Sequence, residues 1–217
     1  MIIVALTDLH GRINIISRFE PVLSRADLVL LIGDNTHFGH YAEMEAVIQT
    51  IRSFNKNLFA VSGNCDYPDA EQYLIERGFN INRCLKEFQG LYIAGLSGSL
   101  PCPGKTPNEH SEEDFRFYLE AMKPDIKHPF ILATHQPPFK TLNDRVLLGF
   151  HVGSKVIRKF IGDCSPLVCF TGHIHEGKGI DSVGSAKIVN PGPARDGHYA
   201  SLILEDGDIK DLRIDRV

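Results

Sequence analysis

The chain has no pair of cysteines spaced as Cys-x-x-Cys, and its five cysteines are odd in number and scattered. That excludes a disulfide framework and a thiolate zinc site, and it fits a reducing cytoplasm. No apolar run is long enough to span a bilayer, and the mean hydropathy of -0.09 agrees. A basic excess is missing as well: 23 Lys and Arg stand against 27 Asp and Glu, a net charge of -4. Long nucleic acid is therefore a poor partner, and contact with phosphate has to come from a local positive centre such as a metal. Internal repeats, low-complexity tracts and linkers are absent too. The first residues lack a basic n-region and run straight into Thr7-Asp8-Leu9-His10, so they read as a β-strand and not as a signal peptide.

What is present is an ordinary globular composition, 43% hydrophobic and 23% charged over 217 residues. It predicts one domain over residues 1–217 with a core large enough to stand unaided. Apolar runs at 2–6, 28–32 and 58–61 are short and β-branched, as strands buried on both faces are. Segments 12–24 and 41–54 between them repeat apolar residues at helical spacing, and a third helix is expected over 69–77. A hairpin follows, 85–88 and 91–96 around Gln89-Gly90. Residues 111–122 form a helix with Ser111 as N-cap and Asp114 in a box-like position. Strands are then expected at 130–134, 167–171, 186–189, 199–204 and 209–214. The fold class is α/β, two sheets with helices outside.

Each early strand ends in a polar cluster, Asp8-Leu9-His10, Gly33-Asp34-Asn35 or Gly63-Asn64-Cys65-Asp66. The carboxyl ends of strands are where open α/β sheets place ligands. Asp8 and His10, one residue apart on extended chain, point to the same side and can share one metal. His173 and His175, after Gly172, repeat that geometry, and His135 follows another strand. A lone Asp-x-His or Gly-Asp reads as a turn or capping feature. Five such blocks, each after a strand, read as a site. Carboxylate, amide oxygen and imidazole together suit Mn, Fe, Zn, Co or Ni.

These blocks resemble the calcineurin-like metallophosphoesterases. The segments Thr36-His37-Phe38-Gly39, His151-Val152-Gly153-Ser154 and Asn190-Pro191-Gly192-Pro193, with the Gly-Asn-Cys-Asp motif, are similar to a compact prokaryotic, often archaeal, branch of that family. The resemblance implies a four-layer αββα sandwich and two divalent transition-metal ions. Carried over by position, it implies Asp8, His10 and His175 on one ion, Asn64, His135 and His173 on the other, and Asp34 bridging them. It further implies hydrolysis of a small phosphate ester, preferably a diester, by attack of a metal-bridging hydroxide. The alternative is a binding scaffold that keeps the fold without chemistry.

One departure stands out, because many members carry His where this chain has Cys65. A thiol there is either a proton donor or a small spacer. His37, His40 and His151 are the candidates to replace the missing acid, His151 foremost, since the loop 136–153 is long enough to wall a substrate. Asp66 either orients its neighbours or caps the next helix. Gly104-Lys105-Thr106 lacks the upstream glycine of a phosphate-binding loop and reads as an ordinary loop. Oligomer formation is compatible with the sequence.

Overall fold

The computed structural model describes residues 1–217. Strands β1 (Ile2–Leu6), β2 (Leu28–Ile32) and β3 (Leu58–Val61) run parallel side by side. The chain segment between β1 and β2 is not one helix but α1 (Ile13–Ile16), a 3-10 turn (Ser17–Phe19) and α2 (Glu20–Leu23). Pro21 explains the break: it has no N–H, and its ring excludes the carbonyl four residues back, that of Ser17. Helix α3 (Tyr41–Arg52) joins β2 to β3, and α4 (Pro68–Glu76) starts with proline at its first position, where the missing N–H costs nothing.

The second half contributes β4 (Leu85–Phe88), β5 (Leu91–Leu96), α5 (Glu112–Met122), β6 (Phe130–Thr134), α6 (Lys155–Cys164) and β7 (Val168–Phe170). It continues with β8 (Gly179–Val183), β9 (Ala186–Asn190), β10 (His198–Glu205) and β11 (Asp208–Arg216). Ser111 caps α5 by accepting from the Asp114 N–H, and the Asp114 carboxylate accepts from the Ser111 N–H in return. Strand β8 has no counterpart in the sequence pattern. It is an edge strand, its apolar side chains are few, and it forms by antiparallel pairing with β9.

Two sheets result, ordered β11-β10-β1-β2-β3 and β4-β5-β6-β7-β9-β8. The strands alternate their side chains between two cores. From β1 and β2, Ile3, Ala5, Leu28 and Leu30 meet Ile93, Ile131, Val168 and Phe170 of the other sheet. Val4, Leu6, Val29 and Leu31 point the opposite way, onto α1 to α4. The far face of the second sheet, with Leu96 and Leu132, packs on Phe115 and Leu119 of α5 and Ile161 of α6. Three apolar layers between four structural layers make this an αββα sandwich. No helix is long and apolar enough to cross a membrane.

Phe170 is fully buried between the sheets. Phe170→Ala is expected to cost about 3–5 kcal/mol in urea unfolding, the usual loss for an aromatic removed from a core. A cost under about 1 kcal/mol would mean that the two sheets do not share that core.

Candidate metal centre

The loops that leave β1, β2 and β3 in one sheet and β6 and β7 in the other open toward the same point. They carry Asp8 and His10, Asp34, Asn64, His135, and His173 and His175 respectively. The backbone there is held in unusual conformations. Asp8, His10, Asp34 and His173 have φ of 55°, 47°, 49° and 67°, a left-handed region that side-chain-bearing residues avoid unless the surroundings impose it. Backbone bonds supply the imposition: the Asp8 N–H donates to the Gly33 carbonyl (3.1 Å) and the His10 N–H to the Asp34 carbonyl (2.8 Å). Glycines make the close approach possible. A Cβ at Gly63 would lie 2.1 Å from Asp34 Oδ1, and one at Gly172 would lie 1.9 Å from Thr7 Oγ1.

On one side of the cluster, Asp8 Oδ1 faces His175 Nε2 at 3.4 Å and His10 Nε2 at 3.9 Å. Asp8 Oδ1 and both ring nitrogens of His10 are buried without any hydrogen-bond partner. Buried polar atoms left unpaired are costly, and Asp8 Oδ1 with the facing His10 Nε2 leaves a place shaped for a cation. On the other side, His135 Nδ1 lies 2.8 Å from the Ile32 carbonyl oxygen. A carbonyl only accepts, so Nδ1 carries the proton and Nε2 is turned inward, the orientation that imidazole ligands of metals adopt. That Nε2 meets Asn64 Oδ1 at 3.0 Å and Asp34 Oδ1 at 3.4 Å. The His173 ring stands 5.2 Å from that of His135, centroid to centroid. Asp34 lies between the two sides: its Oδ2 faces His10 Nε2 at 3.7 Å while its Oδ1 faces His135. Oxygen and imidazole donors at these separations can hold divalent ions of the borderline class.

The electrostatics follow from burial and pairing. Burial alone would raise Asp34, yet the His135 charge and bond, His10 and the Cys65 N–H (2.8 Å) hold it well below the ordinary carboxylate range. Asp8 is likewise lowered against its burial, chiefly by His175. Burial depresses His10, and it pushes His173 down to about 4. His135 resists its burial and is pushed up to about 9 by Asp34. The Asp8 carboxylate facing it at 3.4 Å raises His175. The cluster sets two buried carboxylates that are held low against His135 and His175, which are held high by them.

Asp66 is an orienting residue and not a helix cap. Its buried carboxylate accepts from the N–H groups of Thr36 (2.8 Å) and Gly63 (2.8 Å) and from Thr36 Oγ1 (2.7 Å), so it ties the Asp34 and Asn64 loops together. Burial, with the Asp34 charge, raises it to about 6. Cys65 sits at the cluster, its Sγ grouped with His10 and Asp34. Burial first, and then the Asp34 carboxylate, push that thiol far up.

The other candidate histidines differ in position. His40 caps α3, pairs with Asp69 at 3.0 Å and stacks on Tyr67. His151 pairs with the buried Asp144 at 2.6 Å and packs beside Phe139, so its contacts are within the loop that carries it. Asp144 also accepts from the N–H groups of Lys140, Thr141 and Gly153, which makes it the hub of that loop. The base of the loop reaches the histidine segment, where Asn143 Nδ2 donates to the Gly177 carbonyl. His37 stacks edge-on against His10, 5.5 Å between centroids, and both line a cavity of about 420 Å³. A larger groove of about 800 Å³ lies elsewhere, between β4, β5 and α5 around Arg83, Tyr92 and Tyr118.

Two further residues at this centre were given no role in the sequence reading. Asn190, at the end of β9, donates to the Ile174 carbonyl (2.8 Å) and so braces the His173–His175 turn. Arg195 places a guanidinium nitrogen 3.2 Å from His175 Nδ1. The Asn-Pro-Gly-Pro block that Asn190 opens was the available signal, since it too stands at a strand end.

Over residues 1–177 the chain matches the sequence model of the calcineurin-like phosphoesterases. It belongs to that family. Family members use divalent metal ions to hydrolyse phosphate esters, and the cluster above supplies candidate ligands for such ions. The chain is 37% identical over 198 residues to MJ1162, an uncharacterised protein of Methanocaldococcus jannaschii, covering 89% of this chain and 88% of that one. Its fold is similar to that of TT1561 of Thermus thermophilus, with a TM-score of 0.74 at 18% identity, over 99% of this chain and 98% of that one. It is also similar to an archaeal phosphodiesterase, with a TM-score of 0.53 at 15% identity over the whole of both chains. At these identities the structural likeness concerns the fold.

Because His135 is protonated up to about pH 9 in the metal-free cluster, an incoming ion has to displace that proton. Divalent-ion affinity is therefore expected to rise about tenfold per pH unit between pH 7 and 9 and to flatten above. Calorimetry in buffers of different ionisation enthalpy measures the released proton. Affinity independent of pH over that range would show that the ion takes no proton from His135.

Proposed function

We propose that the protein is a phosphoesterase that acts on small phosphate esters, diesters before monoesters, with two divalent transition-metal ions. Asp8, His10 and His175 hold one ion, Asn64, His135 and His173 the other, and Asp34 bridges them. The observation that carries this reading is the placement of Asp34, whose two carboxylate oxygens face opposite sides of the cluster, one toward His10 and one toward His135. Two ions a few ångströms apart repel one another and need a shared anion between them. The archaeal phosphodiesterase of the same fold lends support to the diester preference.

When bound, the ions supply positive charge for the phosphate oxygens and a more acidic water as nucleophile. The protein's own groups set the geometry. Ile32 orients His135 through its carbonyl, and Thr7 Oγ1 donates to Asp8 Oδ2 at 2.9 Å, leaving Oδ1 for the cation. The loops of β1, β2, β3, β6 and β7 fix all seven side chains before substrate arrives, so little reorganisation is left for the reaction. Cys65 is a poor proton donor, since burial and the Asp34 charge hold its proton tightly. Without a histidine at that position, esters with good leaving groups are favoured, because a leaving oxygen that needs no proton needs no general acid. Cys65 then acts as the spacer that lets its N–H reach Asp34.

The test uses metal-stripped protein reloaded with Mn, Ni, Zn or Mg and assayed on bis-p-nitrophenyl and p-nitrophenyl phosphate. Turnover of the diester above the monoester is expected. Asp34→Ala is expected to lose at least one ion and at least about 100-fold in rate, more than the loss typical of residues that only support a ligand. Cys65→Ala is expected to keep both ions and most of the rate. A protein that binds both ions yet turns over neither ester would contradict the enzymatic reading and favour a binding scaffold.

A further inference from the structure

The segment from Asn190 to Gly197 is clamped to both halves of the cluster. Pro193 pairs with Thr7, the Ala194 N–H donates to the Thr7 carbonyl (2.7 Å), and the Arg195 N–H donates to the Asp8 carbonyl (3.3 Å). Asn190 holds the other end against Ile174. A short 3-10 turn, Ala194–Asp196, closed by Gly197 at φ 93°, delivers the Arg195 side chain to the rim of the centre. Its guanidinium pairs with no carboxylate; the partner it has is His175 Nδ1 at 3.2 Å.

That contact is a poor one for a metal-loaded protein. If His175 gives Nε2 to an ion, Nδ1 carries the ring proton, and a guanidinium has only donors to offer. Two donors then face each other. At 3.2 Å from the His175 ring, the guanidinium charge would repel any cation that ring holds. A fixed positive charge in that place becomes favourable only when an anion stands between it and the ions. A phosphate oxygen is such an anion, and the planar fork of arginine matches its geometry.

We propose that Arg195 is a substrate-binding residue, whose guanidinium leaves His175 when the ions are bound and takes a non-bridging oxygen of the phosphate. This rests on the phosphoesterase reading above. It gives the Asn-Pro-Gly-Pro-Ala-Arg segment a task beside bracing the His173–His175 turn, which is to keep a phosphate-binding cation within reach of the Asp8 and His175 ligands. Removing Arg195 weakens anion binding without removing any of the seven candidate metal ligands.

The experiment is calorimetric titration of inorganic phosphate into metal-loaded wild type, Arg195→Met and Arg195→Lys, with metal content measured on the same samples. Melting temperatures are compared to establish that each variant is folded. Arg195→Met is expected to keep its metal and bind phosphate about 10- to 100-fold more weakly, the effect of losing one charged hydrogen bond. Arg195→Lys is expected to recover part of that, with diester KM following the same order. Unchanged phosphate affinity in Arg195→Met overturns the assignment while leaving the phosphoesterase reading intact. Loss of metal from Arg195→Met, restored in Arg195→Lys, also overturns it, because Arg195 would then be a support for His175. Wild type that holds its ions and binds no phosphate defeats the phosphoesterase reading itself, and Arg195 with it.

Discussion

The structure is organised around a buried carboxylate, Asp34, that belongs to one sheet and faces histidines supplied by both. His10 approaches one of its oxygens from the loop after β1, and His135 approaches the other from the loop after β6. Bringing them together requires the two sheets to pack face to face with the carboxyl ends of their central strands at one edge. The apolar layer of Ile3, Leu30, Ile131 and Phe170 provides that packing. A buried anion is tolerable only with positive charge beside it. His135 and His10 face it and supply that need.

The cost of the centre is visible in its backbone and its unpaired atoms. Four of its residues occupy left-handed conformations, and Asp8 and His10 bury polar atoms without partners. These are unfavourable terms of order 1–3 kcal/mol each. They persist because three separate apolar cores surround the site and because carboxylates outside it lock the loops. Asp66 binds the loops after β2 and β3 to one another, and Asp144 folds the long loop after His135 onto itself. Neither is among the candidate ligands, yet each fixes a loop that carries or adjoins one.

Much of this could be read before any coordinates. The β-branched runs gave the strands because burial on both faces leaves a contiguous apolar signature, and the polar residues after them marked the functional edge. All seven candidate ligands come together in space. The pattern failed where local signals are weak or are overridden. Pro21 breaks what helical spacing alone reads as one helix. Edge strand β8 has few apolar side chains and depends on β9 for its pairing. His151, an attractive candidate as a histidine on a long loop, has its ring bound to Asp144, a partner that only the folded loop creates. Arg195 is adjacent to His175 in space and 20 residues away in sequence, so no spacing rule could have joined them.

The central claim is that the cluster holds two ions with Asp34 between them. Crystals grown with manganese, measured on both sides of its absorption edge, test this directly. The account predicts two anomalous peaks about 3.5 Å apart, one against Asp8, His10 and His175, the other against Asn64, His135 and His173, each within bonding distance of Asp34. A single peak, or two peaks of which only one touches Asp34, would contradict it.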